Sequence, residues 1–220
     1  MERELNMNDI LENGVTSNTP KQILFGAGTV HKGLTYDSTT HKWNFAESLF
    51  GATNGGSKLD IIPEITTIPM DGVLVKTKGL DVKTGEKATM EINFAELTPE
   101  MIKVSSLGEL AESDIEGFKL IRSKSSIVEG DYYDNIAFVG LTLDRRPIIA
   151  ILPNALCTSG FSNEGKNKEG AVGKYTFECY QDLTGDLTVL PWDIYYPTES
   201  NSQEENNQEE NNQEEIQGGN

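Results

Sequence analysis

The chain has 220 residues, enough for one fair-sized core, and carries 35 Asp and Glu against 18 Lys and Arg, a formal net charge of −17. That balance argues against gripping nucleic acid, which needs lysine and arginine to displace counterions from phosphates, although an acidic surface could sit beside DNA and repel it. No run reaches the ~20 apolar residues of a membrane span and MERELNMNDI lacks the apolar core of a secretory signal, while two cysteines are too few for a disulfide scaffold, so the expectation is a soluble chain made in the cytoplasm.

Residues 1–20 read as an extended N-terminal arm, 21–198 as one folded body and 199–220 as a tail. Within the body, 26–57 mixes Gly, Thr and Ser with the aromatics Tyr36, Trp43, Phe45 and Phe50. It reads as one long loop whose aromatics dock on this domain's own body or on a neighbour. Trp43, Phe45, Leu49 and Phe50 are the candidate subunit-interface residues. GATNGGSK (51–58) misses a phosphate-binding P-loop because Ser57 precedes Lys58, and GAGTVHKG (26–33) has His31 where a dinucleotide fingerprint needs glycine. Both histidines, His31 and His41, are expected on the surface or in loops, which leaves little for a metal site or a histidine-based triad.

VLVKTKGLDVKTGEKATM (73–90) reads as strand, turn, strand, with Thr84-Gly85 at the bend. In KATMEINFA, Met90, Ile92 and Phe94 share one face while Thr89, Glu91 and Asn93 share the other, as a half-buried strand requires. Thr98 is placed to cap a helix that opens on Pro99 and Glu100 and stops near Gly108. LGELAESDI (107–115) offers a second short helix. EGDYYDN (129–135) reads as a solvated turn, since its acids lack the EF-hand spacing.

NIAFVGLTL (135–143) and PIIAIL (147–152) are apolar on both sides, which suits strands covered on both faces, joined by a short DRR link. GFSNEG (160–165) resembles a nucleophile elbow around Ser162 but has Glu164 where the second glycine belongs. In GKYTFECYQ, Tyr175, Phe177 and Cys179 face together. Cys157 and Cys179 are expected as reduced, buried thiols. The sum is a mainly β chain, an antiparallel β-sandwich or barrel with a flanking α-helix. After Thr198 the unit QEENN, at Gln203 and Gln208 and restarting at Gln213, makes an acidic stretch with too little apolar surface to order. Without its seven glutamates the body still has 28 acids against 18 bases.

Four glutamates fall close together in GEKATMEINFAELTPEMI. Strand parity points Glu91 outward, Glu86 lies at the expected turn, Glu96 follows the strand, and Glu100 suits a helix N-terminus. A catalytic pair would have to converge across a cleft to roughly 5 to 10 Å, and nothing in the spacing demands it. No catalytic, cofactor-binding or metal-ligating residue is therefore expected.

ILFGAGTVHKGL, the long stretch from Trp43 to Ile102 and NALCTSGFSNEGKNKEGAVGKYTFECYQDLTGDLTVLP together resemble the major tail tube proteins of long-tailed bacteriophages, those of Gram-positive hosts above all. The resemblance spans Lys21 to Tyr196 and rests on the order of phrases, while the QEENN tail departs from it. It implies a β-sandwich with a flanking helix, similar also to the type VI secretion tube, and no enzymatic activity. Its implied assembly is a stack of hexameric rings forming the hollow tail tube of the virion. Implied partners are further copies of the chain, the tape-measure protein, and the tail terminator and distal tail proteins. DNA would pass through unbound during genome ejection, and no membrane is involved. Two other classes stand beside it: a surface or secreted β-sandwich binding module, and a carboxylate-based hydrolase.

Truncation after Thr198 is expected to leave the melting temperature and any polymerisation unchanged, because the tail offers almost no apolar surface to pack. Loss of either in calorimetry or electron microscopy contradicts that expectation.

Overall fold

The computed structural model describes residues 14–162 and 170–198. Most of the expected N-terminal arm, Glu164 of the GFSNEG stretch and the tail 199–220 lie outside the described residues.

The chain is mainly β. After a short helix α1 (Thr19–Gln22) come β1 (Leu24–His31), a small hairpin of β2 (Tyr36–Asp37) and β3 (Lys42–Trp43), the turn-length helix α2 (Phe45–Ser48), β4 (Leu49–Gly51), and the long strands β5 (Thr53–Thr67) and β6 (Asp81–Phe94). Helix α3 (Pro99–Ser106) follows, then a second small hairpin, β7 (Glu109–Ala111) with β8 (Leu120–Arg122). The chain ends in β9 (Tyr133–Thr142), β10 (Pro147–Cys157), β11 (Gly173–Cys179) and β12 (Asp193–Tyr195). Eight strands form one antiparallel sheet in the order β4-β1-β9-β10-β11-β6-β5, with β12 beside the first half of β10.

This sheet curls. Along the ladder β1 and β5 are five strand spacings apart, roughly 24 Å in a flat sheet, yet their Cα atoms come within 8 Å. The chain itself draws the edges together: Gly51 of β4 pairs with Val30, and two residues later Thr53 of β5 pairs with Phe94. Inside the curl lies the main core, built from Val30, Met90, Ile92, Phe94, Ile136, Leu152, Tyr175 and Phe177. Helix α3 closes it with Met101 and Val104, and Trp192 packs against it. Gly51 sits close under the helix, where an added Cβ would lie 2.7 Å from the mobile Met101 Cε.

Strands β9 and β10 are buried on both faces. Ile136 and Leu152 point into the curl, whereas Ala137, Val139, Ile149 and Ile151 form a second core on the outer face, covered by Leu34, Trp43 and Phe45. Asn135, at φ 49°, turns the strand, so Tyr133 and Ile136 both reach the main core although three residues apart. The carbonyls of Asp134 and Asn135 accept from Gly33 and Leu34 N–H at 3.0 and 3.3 Å, which pins the covering strap where the strand turns.

The strand parity of β6 and β11 and the buried free thiols are found as expected. Helix α3 begins as read: the Thr98 side chain accepts from Met101 N–H at 3.2 Å, and Gly108 N–H bonds the Lys103 carbonyl at 2.9 Å beyond a left-handed Leu107. Five local readings are corrected. The stretch 26–57 is not one loop but four strands, a helical turn and the start of β5, because its aromatics bury against the body. GATNGGSK likewise enters β5 through a bulge in which Gly55 and Gly56 take positive φ. Thr84-Gly85 lies within β6, with Thr84 at a bulge, since β5 pairs past it to Asp81, and the turn falls at 68–80, where VLVK is loop and not strand. LGELAESDI supplies β7 instead of a helix, because Leu110 pairs across to Ile121. Asp131 in EGDYYDN is buried and bonded to Lys124 instead of solvated.

Phe177→Ala should cost about 3–5 kcal/mol through lost burial and the cavity left behind, lowering the melting temperature by roughly 10 °C. A fall of only a degree or two in calorimetry would mean that the curled interior is not one packed core.

Candidate assembly surface

The four glutamates do not gather. Glu91 faces outward on β6 and pairs with Lys174 at 2.7 Å. Glu86 accepts from Lys83 at 2.8 Å and from the Trp192 indole N–H at 2.9 Å, and these bonds hold its carboxyl below the usual range. Glu100 bonds Lys32 at 2.5 Å and accepts from the Tyr133 hydroxyl at 3.4 Å, while Glu96 is exposed. Among the described residues no group of three or more His, Cys, Asp or Glu is placed to hold a metal ion.

The four candidate interface residues fall into different surroundings. Phe50 enters the main core edge-on to Phe94 at 5.1 Å, under the Lys32 ammonium at 5.5 Å. Trp43 and Phe45 cover the outer core, Trp43 packed between Tyr36 and Tyr195, each at 5.2 Å. Asn44 ties this strap at both ends, accepting from Thr35 N–H at 2.8 Å and donating to the Gly33 carbonyl at 3.3 Å. Leu49 alone of the four is exposed.

His31 is buried, not superficial, because the strap folds over it. Ser48 Oγ donates to the Asn44 carbonyl at 2.9 Å, so it accepts from His31 Nδ1 at 2.9 Å and leaves Nε2 to accept from Thr29 at 2.8 Å. Both ring nitrogens are thus satisfied in the neutral imidazole. Burial pushes its pKa below the ordinary 6.5, against a smaller opposing effect of a hydrogen bond to the Phe45 backbone.

A run of exposed apolar side chains belongs to residues that the sequence did not single out as a surface. The distal halves of β5 and β6 are exposed on both faces, from Ile62 to Thr66 and from Asp81 to Thr84, so the hairpin projects from the body as an arm. Ile62, Ile65, Met70, Val73, Leu74 and Val75 are all exposed on it, Leu74 at 95%. Clusters of exposed apolar side chains of this size mark interaction surfaces. Among the described residues the outer edge of β5 pairs with no strand, and Pro63 removes one donor from it. The sequence signal here was VLVK, an apolar run between turn residues, which read as a strand and is instead part of the loop at 68–80.

On the outer face two apolar grooves flank the strap. One, about 700 Å³, runs beside His31 between Phe45, Leu49, Val139, Leu141 and Pro147. The other, about 320 Å³, lies between Tyr36, Trp43, Ile149 and Tyr195. Pro147 lines both. Next to it, Arg146 donates to the Lys21 carbonyl at 3.3 Å and to the Thr198 carbonyl at 3.2 Å, so both ends of the folded body meet here. No protein-family model matches the chain, and no curated protein matches it.

Because the unfolded chain takes up a proton at His31 near pH 6.5 and the folded chain resists it until lower pH, stability should fall as pH drops below 6.5. Urea midpoints at pH 7.5 and 5.5 should separate for the wild type and separate less for His31→Gln. Equal separations would mean that His31 is not buried as the neutral ring.

Proposed function

We propose that this chain is a structural subunit that assembles with copies of itself, and specifically a tail tube protein of a long-tailed bacteriophage. The observation that carries the reading is the projecting β5–β6 arm, whose apolar side chains are left in water by the chain's own body. Burying each large apolar side chain against a neighbour would contribute on the order of 1.5–3 kcal/mol before association costs, and the open β5 edge adds main-chain pairing of the kind used in β-augmentation.

The further content of the reading rests on the order of phrases from Lys21 to Tyr196. In it the curled sheet is the β-sandwich or barrel of the tube domain, with α3 as its flanking helix. Hexameric rings stack around the tape-measure protein, the tail terminator and distal tail proteins bound the stack, and the DNA genome passes through unbound. The acidic body would line a channel along which phosphates slide without binding. The protein would be non-enzymatic and located in the virion tail after synthesis in the host cytoplasm.

A surface or secreted binding module is the second reading, favoured by the aromatic groove between Tyr36, Trp43 and Tyr195. The hydrolase reading draws no comparable support, since Glu86, Glu91 and Glu100 are each tied to a different lysine.

Leu74→Asp with Val75→Asp should leave the unfolding free energy within about 1 kcal/mol of wild type, because both residues are exposed. In electron microscopy of concentrated protein the wild type should form rings or tubes and this variant should not. Tubes formed equally by both would remove the arm from the assembly, and saturable saccharide binding by a persistent wild-type monomer would favour the binding module.

A further inference from the structure

We infer that the tip of the β5–β6 arm, Val73 to Lys76, docks in the groove beside His31 of a second copy of this chain. The inference rests on the reading that the arm mediates assembly, and it names the surface that receives the arm. Within its own molecule the arm does not fill the groove, because Leu74 stays 95% exposed. The tip is nevertheless held in one shape. Val73 N–H donates to the Met70 carbonyl at 3.2 Å, Leu80 N–H to the Thr77 carbonyl at 3.2 Å and the Thr77 hydroxyl to the Val75 carbonyl at 3.1 Å. Two turns thus bracket a short open stretch that presents Val73, Leu74 and Val75 with little left to order on binding.

The dimensions match. The groove, about 700 Å³, follows the outer face of β9 from the level of His31, opposite Ala137, past Val139 to Leu141. Four residue steps of strand cover about 13 Å, and the five steps from Asp71 to Lys76 span at most about 17 Å. The groove walls Phe45, Leu49, Val139, Leu141 and Pro147 suit an apolar insert and not a small polar ligand.

Charge fixes the direction. The apolar run of the tip has Asp71 before it and Lys76 and Lys78 after it. Opposite charges also stand at the two ends of the groove: Glu47 in α2 between the lining residues Ala46 and Leu49, and Arg145 in the turn between the lining residues Leu141 and Pro147. All five are exposed, and none makes an ion pair with another described residue. With Lys76 toward Glu47 and Asp71 toward Arg145, the tip buries Leu74 and Val75 against Phe45, Val139 and Leu141. The contact is heterologous. The receiving copy keeps its own arm free, so docking propagates from copy to copy until a ring closes.

The test is sedimentation velocity on the full-length chain with either surface disabled. The arm variant is Leu74→Asp with Val75→Asp, and the groove variants are Leu49→Glu and, independently, Leu141→Glu, both at exposed positions and checked for an unchanged near-ultraviolet circular dichroism spectrum. Each groove variant should raise the concentration of half-assembly at least about tenfold. Arm and groove variants should each be monomeric alone and form a heterodimer when mixed, because one keeps a groove and the other an arm. Glu47→Lys should weaken assembly about threefold, and Lys76→Glu in the same chain should restore it. Groove variants that assemble like the wild type, mixtures that stay monomeric, or a charge exchange that restores nothing would overturn the inference. Loss of assembly in the arm variant alone would keep the arm reading and move its receptor elsewhere, the groove between Tyr36 and Tyr195 included. Undiminished assembly of both variants, or a wild type that stays monomeric, would overturn the arm reading as well.

Discussion

Strands β9 and β10 bury apolar side chains on both faces, and the other layers are arranged to keep water from them. Ile136 and Leu152 need an interior on one side, which the curl of the sheet supplies by bringing β6, β11 and helix α3 around them. Val139, Ile149 and Ile151 need a cover on the other, which the strap from Leu34 to Ser48 supplies with Trp43 and Phe45. The strap then buries His31, and its hydroxyl partners Thr29 and Ser48 are what make a buried neutral imidazole tolerable. Aromatic surface in an apparently irregular stretch is in this way used twice, for packing and for polar satisfaction.

Much of this was legible because it depends on period and on local caps. Alternation along β6 and β11 identified the inward side chains, the two-sided apolarity of 135–152 announced covering on both faces, and Thr98-Pro99 marked where α3 begins. What escaped depended on partners distant in sequence. Gly85 looks like a turn residue until Glu64 is found opposite it, and Leu110 looks helical until Ile121 pairs with it. His31 gives no sign in its own neighbourhood that a strap closes over it. The arm escaped for a different reason: Val73, Leu74 and Val75 read as an apolar strand, and only the position of the body reveals that they lie exposed in the loop between β5 and β6.

The molecule therefore separates two kinds of apolar surface. One is enclosed twice over, by the curl and by the strap. The other stands out on the β5–β6 arm, where Leu74 and Val75 are exposed beside Lys76 and Lys78 in a chain that is acidic overall. An acidic body with an apolar arm whose Lys76, Lys78 and Lys83 balance Glu64, Asp71 and Asp81 is suited to reaching a neighbouring copy while discouraging nonspecific aggregation through net charge. The separation also explains how one chain could be stable alone and still carry a strong tendency to assemble.

Amide hydrogen exchange, measured on dilute and on concentrated protein, tests this central claim most directly. Subunit assembly through the arm predicts that protection between Ile62 and Val82 rises with concentration while the core strands β9 and β10 stay unchanged. Association that leaves exchange in the arm unaltered would contradict the account.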